Sequence, residues 1–251
     1  MRIDLNCDMG ELALPENQDA ALMPLVSSAN IACGAHAGDT DLMIRTVALA
    51  MDHDVAIGAH PGYDDRANFG RLPMHLSADA LRDLILRQLD ALAAVVHRQG
   101  GRLHHMKPHG ALYNQASADP TLAGQLADIL WEFDPTLVLV GGASGALIEA
   151  GARRGLTVAR EGFADRRYRD NGQLVSRQEP GAVLDAADSA LAQAQALVTG
   201  QPLISWEGHP LTLTVDTLCL HGDGAQALPF ARAIRHWLDQ QGINVLPPQR
   251  P

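Results

Sequence analysis

The chain has 251 residues, enough for one large core or two small ones, and a formal net charge of -10 from 29 acidic residues against 19 lysines and arginines. That acidity excludes a grip on nucleic acid or an anionic membrane through electrostatics. A composition of 47% hydrophobic and 19% charged residues excludes intrinsic disorder.

The amino terminus, MRIDLNCDMGE, enters a strand pattern at once, without a basic, apolar, small-residue leader. No apolar run approaches the roughly 18 residues of a membrane span. Cys7, Cys33 and Cys219 are odd in number, far apart and without CxxC spacing, which predicts buried free thiols in a reducing compartment. A soluble, cytoplasmic protein is the expectation. Along the chain, β-rich runs at 3–7, 29–33, 55–59, 103–107, 137–140, 156–159 and 217–220 are followed by Gly, Pro or polar clusters. Helical periodicity follows at 39–51, 78–97 with Ser77 as N-cap, 120–131 and 226–240. This alternation predicts an α/β fold, a seven-stranded parallel (β/α)-type barrel, closed or left incomplete. Residues 161–214 break the rhythm with a charged loop, an Ala-rich helical stretch at 181–198 and the alternating PLTLTV at 210–215. They predict a helix and a small hairpin inserted before the last strand. No Gly-, Ser- or Pro-rich linker divides the chain, so a single domain spanning 1–251 is expected.

Strands covered on both faces should be apolar, so polar residues in them need a reason. The first strand carries Asp4, Asn6 and Asp8 at period two, on one face, with Glu11 just beyond. The second ends in NIACGAHAGD with Asn30, His36 and Asp39. IGAHPGYDD presents His60, and LHHMKPHGALYN places His105, Lys107 and His109 on one face, with Asn114 beyond. The last ends in LCLHGDG with His221 and Asp223. In α/β barrels and open sheets, ligands bind at the carboxyl ends of the strands. A lone strand-end His or Asp is most simply a loop anchor, and Asp4 reads best as one. Asp8, His36, His60, Lys107 and His109 together predict a functional cleft. Lys107, the one lysine beside 18 arginines, is a compact charge suited to a carbonyl oxygen or a phosphate. His53, His97 and His236 fall in helical stretches and read as surface residues.

Taken in order, DLNCDMGE at 4–11, SSANIACGAHAGD at 27–39, VAIGAHPGYDDRANFGR at 55–71, HMKPHGALYN at 105–114, FADRRY at 163–168 and LCLHGDG at 218–224 resemble the LamB/YcsF family of 5-oxoprolinase A subunits. The chain departs from the family at Leu12 and Arg167, where glycine is usual. The resemblance implies a seven-stranded barrel related to glycoside hydrolase and deacetylase barrels. It also implies a protein that works with 5-oxoprolinase subunits B and C to open 5-oxo-L-proline to L-glutamate, with ATP as cosubstrate.

Opening an unstrained lactam requires activation of its carbonyl, attack by water and a proton for the departing nitrogen. Asp8 or His60 is the candidate base, His109 the candidate acid and Lys107 the cationic stabiliser. Arg71 or Arg166 could clamp the substrate carboxylate. Asn6, Glu11, Asn30, His36, Asp39, Asn114, His221 and Asp223 complete the expected binding set. No GxxxxGK[ST] is present, and VGGASGAL at 140–147 reads better as a tight βα turn than as a phosphate cradle, so activation by ATP is expected to depend on the partners. Two rival readings remain open. One is a metal-dependent deacetylase or amidohydrolase, with His105, His109, Asp4 and Asp8 holding a divalent metal. The other is a non-catalytic protein that binds substrate for its partners.

Overall fold

A computed structural model describes residues 1–13, 17–184, 186–220 and 227–250. In chain order the elements are β1 (Arg2–Met9), α1 (Asp19–Leu22), β2 (Ser28–Ala32), α2 (Thr40–Asp52), β3 (Ala56–His60), α3 (Ala78–Arg98), β4 (Leu103–Met106), α4 (Gly110–Ala118), α5 (Pro120–Phe133), β5 (Val138–Gly142), α6 (Ala146–Arg154), β6 (Val158–Phe163), α7 (Ala187–Thr199), β7 (Leu203–Ile204), β8 (Pro210–Leu211), β9 (Thr217–Leu220), α8 (Ala227–Gln240) and β10 (Asn244–Val245). Strands β1 to β6 and β9 pair in parallel, and β9 returns to β1, with Asp4 opposite Thr217 and Asn6 opposite Cys219. The barrel is therefore closed, and the incomplete alternative falls. Strand β10 adds to the first residues of β1, with Arg2 opposite Asn244.

Local chemistry sets the helices. Asp39 accepts from the Leu42 amide at 2.8 Å and Ser77 from the Ala80 amide at 3.2 Å, so each satisfies an orphan donor at a helix start. Asp119 caps α5, and Pro120 supplies the preset φ of its first turn. Helix α3 buries Leu81, Leu84, Ile85, Leu89, Leu92, Val95 and Val96, the three-and-four spacing of one helix face turned to the barrel. Helix α4, directly after Lys107-Pro108-His109, has no counterpart in the sequence pattern; its short run of small and polar residues carries little periodic signal.

The insertion departs from expectation in detail. Its helix starts at Ala187, six residues later than the composition suggests, and the antiparallel pair joins Leu203–Ile204 to Pro210–Leu211, the first two residues of the alternation at 210–215. Gln193 of α7 donates to the carbonyls of Phe163, Ala164 and Arg166 and so pins the chain where it leaves β6. Arg167 and Leu12 have no positive φ, so neither loop requires the glycine usual in the family.

Candidate active site

Inside the barrel the even residues of β1 begin a stack of polar groups. At its lower end Asp4 accepts from the hydroxyls of Ser27 and Ser28, each at 2.7 Å, and of Thr217 at 2.5 Å. Burial raises the Asp4 carboxyl to about 6, against the pull of those hydroxyls. One step up, Asn6 donates to Thr217 Oγ1 at 2.6 Å, and Asn30 donates to Asn6 and Asp8 at 2.7 and 2.8 Å. His105 Nε2 meets Asn30 Oδ1 at 2.8 Å, and its ring fills the space above Gly58, where a Cβ would lie 2.0 Å from that nitrogen. Burial drives the His105 pKa well below the usual value, so the ring is neutral and structural.

Lys107 ends this stack. Its Nζ lies 2.8 Å from Asp8 Oδ1, 2.8 Å from Glu161 Oε1 and 3.2 Å from both Asn6 Oδ1 and Cys219 Sγ. Burial opposes its charge, but Asp8, Cys219 and Glu161 more than offset that, and the pKa is held well above the ordinary value. Glu161 escapes the sequence reading because the expected strand stops at 159. The signal is present, since REGF places an acid beside a glycine at a strand's carboxyl end.

Above Lys107 opens a cavity of about 510 Å³. Asp8, Glu11, His60, Arg71, Lys107, His109, Asn114 and Arg166 line it, joined by Tyr113, Phe163 and Tyr168 and by the segment 172–178 of the insertion. His36 lies just behind, fully buried, stacked on His109 with centroids 3.7 Å apart and with Nε2 3.0 Å from Glu11 Oε1. Burial lowers its pKa to about 4, although Glu11 pulls the other way. Asn6 and Asn30 sit one layer below the cavity floor. Asp39 is on the surface and serves as the α2 cap, away from the cavity. His221 and Asp223 fall outside the described residues.

The residues that could hold a metal differ from those the sequence suggests. Glu11, His36, His60 and His109 bring their ligand atoms within 4.8 Å of one another. His105 and Asp4 are taken up by the polar stack below. The glycine-rich 140–147 is a βα turn in which the Gly145 amide donates to the Gly142 carbonyl at 2.8 Å. Among the described residues, no helix is long and apolar enough to cross a membrane, and the three cysteines are buried free thiols.

A closed parallel barrel with polar groups converging at the carboxyl ends of its strands is a (β/α) barrel with its candidate site at the end where such barrels bind ligands. A GH113 β-1,4-mannanase shares the fold at 9% identity, with a TM-score of 0.51 over 95% of this chain and 99% of that one. The chain belongs to the LamB/YcsF family, whose model matches residues 3–251. It is 47% identical over 245 residues to the 5-oxoprolinase A subunit of Erwinia tasmaniensis, covering 98% of this chain and 99% of that protein. It is 49% identical to that of Methylococcus capsulatus, covering 97% and 94%. The crystal structure of a lactam utilization protein from Thermus thermophilus superposes with a TM-score of 0.91 at 39% identity, over 98% and 99% of the two chains.

Proposed function

We propose that this chain is the A subunit of an ATP-dependent 5-oxoprolinase, which opens 5-oxo-L-proline to L-glutamate with release of ADP and phosphate and works with subunits B and C. The names of its relatives support the reading, and the observation that carries it is the buried lysine set between two carboxylates at the cavity floor. An amide is a poor electrophile, so transfer of the γ-phosphoryl group to the lactam oxygen makes the ring carbon attackable. Lys107 is placed to stabilise charge on that oxygen or its phosphate. Asp8, 2.8 Å from Lys107, takes a proton from the attacking water. The tetrahedral intermediate collapses with cleavage of the C–N bond, and the proton held by Asp8 passes to the nitrogen. A second water then releases phosphate from the acyl phosphate, so one lactam, one ATP and two waters give glutamate, ADP and phosphate.

Arg166 suits the substrate carboxylate better than Arg71. It is buried in the cavity wall, its Nη2 donates to the Val175 carbonyl at 2.6 Å, and its Nε has no hydrogen-bond partner. A buried donor left over in this way is matched by a carboxylate ligand. Arg71 lies at the rim, against the Phe69 ring. His60 and His109 each turn one ring nitrogen to a backbone carbonyl and the other toward Glu11, behind Asp8, and are not needed as base and acid in this scheme.

A glutamate-coupled assay of the reconstituted three-subunit complex tests the reading. Glutamate should appear only with ATP and all three proteins. Full turnover by subunits B and C alone would make this chain accessory, and amide hydrolysis by this chain without ATP would favour the amidohydrolase reading.

A further inference from the structure

With its rings neutral, the cluster behind Asp8 has a proton count that does not close. His60 Nδ1 is 2.7 Å from the Lys107 carbonyl and His109 Nε2 is 2.9 Å from the Phe69 carbonyl. A carbonyl only accepts, so both of those ring nitrogens carry hydrogen, and in neutral rings His60 Nε2 and His109 Nδ1 present lone pairs. These two lone pairs face each other at 3.0 Å. The carboxylate oxygen Oε1 of Glu11 lies 3.7 Å from His60 Nε2 and 3.1 Å from His109 Nδ1, and His36 Nε2 approaches the same oxygen at 3.0 Å. With neutral rings, two imidazole lone pairs and a carboxylate oxygen thus converge on one buried point, with His36 Nε2 beside them as donor or acceptor according to its tautomer, and a cation at that point satisfies them together.

We propose that Glu11, His36, His60 and His109 bind one divalent transition-metal cation of the zinc class. Ligand bonds of about 2.0–2.1 Å in a tetrahedron place the donors about 3.3–3.4 Å apart; four of the six donor pairs lie 3.0–3.7 Å apart and the whole set within 4.8 Å, so a small inward movement of the side chains closes the shell. Three imidazoles and one carboxylate favour zinc, cobalt or nickel over magnesium or calcium, which take oxygen shells. The outer contacts fit as well, since metal-bound histidines donate their second N–H to a carbonyl or carboxylate, as His60 and His109 do. The site is closely built. A Cβ on Gly70, whose φ is +62°, would lie 2.7 Å from the His36 Cβ, so the ring can stand there only beside a glycine. Four protein donors fill a tetrahedral shell, so what the ion contributes is charge and rigidity under Asp8, whose Oδ2 lies 3.4 Å from His60 Nε2. This assignment goes beyond the lactam reading, and its test does not depend on turnover.

The experiment uses the full chain, purified without a histidine tag and without chelator. Elemental analysis should find about one zinc-class ion per chain, and apoprotein titrated with cobalt(II) should develop visible ligand-field absorption that saturates at one equivalent. Glu11→Gln and His60→Ala should each weaken cobalt binding by more than ~100-fold, beyond the 10–100-fold typical of losing an outer-shell partner. Asp39→Ala, on the surface, should leave it unchanged. Should the cluster variants fail to fold, the wild type alone decides, through its metal content, the cobalt spectrum and a rise of apoprotein Tm on adding zinc. Sub-stoichiometric metal with no cobalt spectrum overturns the proposal, as do histidine 15N shifts at the cluster that do not move when zinc is added. Undiminished cobalt binding by folded Glu11→Gln and His60→Ala variants would place the ion elsewhere and overturn it equally.

Discussion

The lower and upper halves of the barrel interior are built from the same strands and the same kinds of residue, yet they do different work. In the lower half, Asp4, Asn6, Asn30 and His105 exchange hydrogen bonds in a stack in which donors and acceptors match: three hydroxyls on one carboxylate, one amide feeding the next. In the upper half the counts do not match. Lys107 stands between two carboxylates, and Glu11, His60 and His109 turn acceptors toward one another. A matched buried network confers rigidity, whereas a mismatched one holds charge ready for a ligand. Two residues along a strand, from Asn6 to Asp8, are enough to pass from one regime to the other.

Substitutions can break this contrast. The largest effect is expected at Asp8, where Asp8→Asn keeps the shape and removes the base; turnover of the reconstituted complex should fall by ~10²–10⁴ while the melting temperature changes little. Lys107→Ala comes next, with a loss of ~10²–10³ in turnover per folded molecule. Because it leaves Asp8 and Glu161 facing each other in the interior, it should also lower stability by ~3–5 kcal/mol in denaturant titrations. Wild-type turnover in both variants would place the chemistry outside this floor.

Asp4 sharpens the lower half. Its folded carboxyl, at about 6, binds protons more tightly than the ordinary value of 3.8, so its contribution is full below about pH 4 and is lost as pH rises to about 6. At ~1.4 kcal/mol per pH unit the loss is about 3 kcal/mol. Asp4→Asn should abolish that decline in stability measured from pH 4 to 7 and leave turnover per folded molecule within about twofold. The smallest effect belongs to Asp39→Ala, which removes a helix cap, costs ~1 kcal/mol and leaves turnover alone. A large loss of activity there would return Asp39 to the site.

Much of this is legible in the sequence. The order of strands and helices follows from periodicity and caps, because hydrophobic spacing and side-chain capping act over a few residues. The strand-end residues stand out because polar groups have no place in a doubly covered strand without a partner. What sequence does not show is which partner each one finds. Asp39 and Asp8 are both acids near the carboxyl end of a strand, Asp8 within β1 and Asp39 seven residues past β2, yet Asp39 caps a helix on the surface and Asp8 pairs with Lys107. His105 and His109 share a face of one segment, but Asn30 takes the first and Glu11 the second.

By itself, then, the sequence determined the α/β alternation, the parallel strands and the pool of polar residues at their ends. Only the tertiary structure decided the closure of β9 on β1, the pairing of Glu161 with Lys107 and the gathering of Glu11 with three histidines. Those depend on register between strands far apart in the chain and on which ring nitrogen meets which carbonyl, and neither is set by neighbours in sequence.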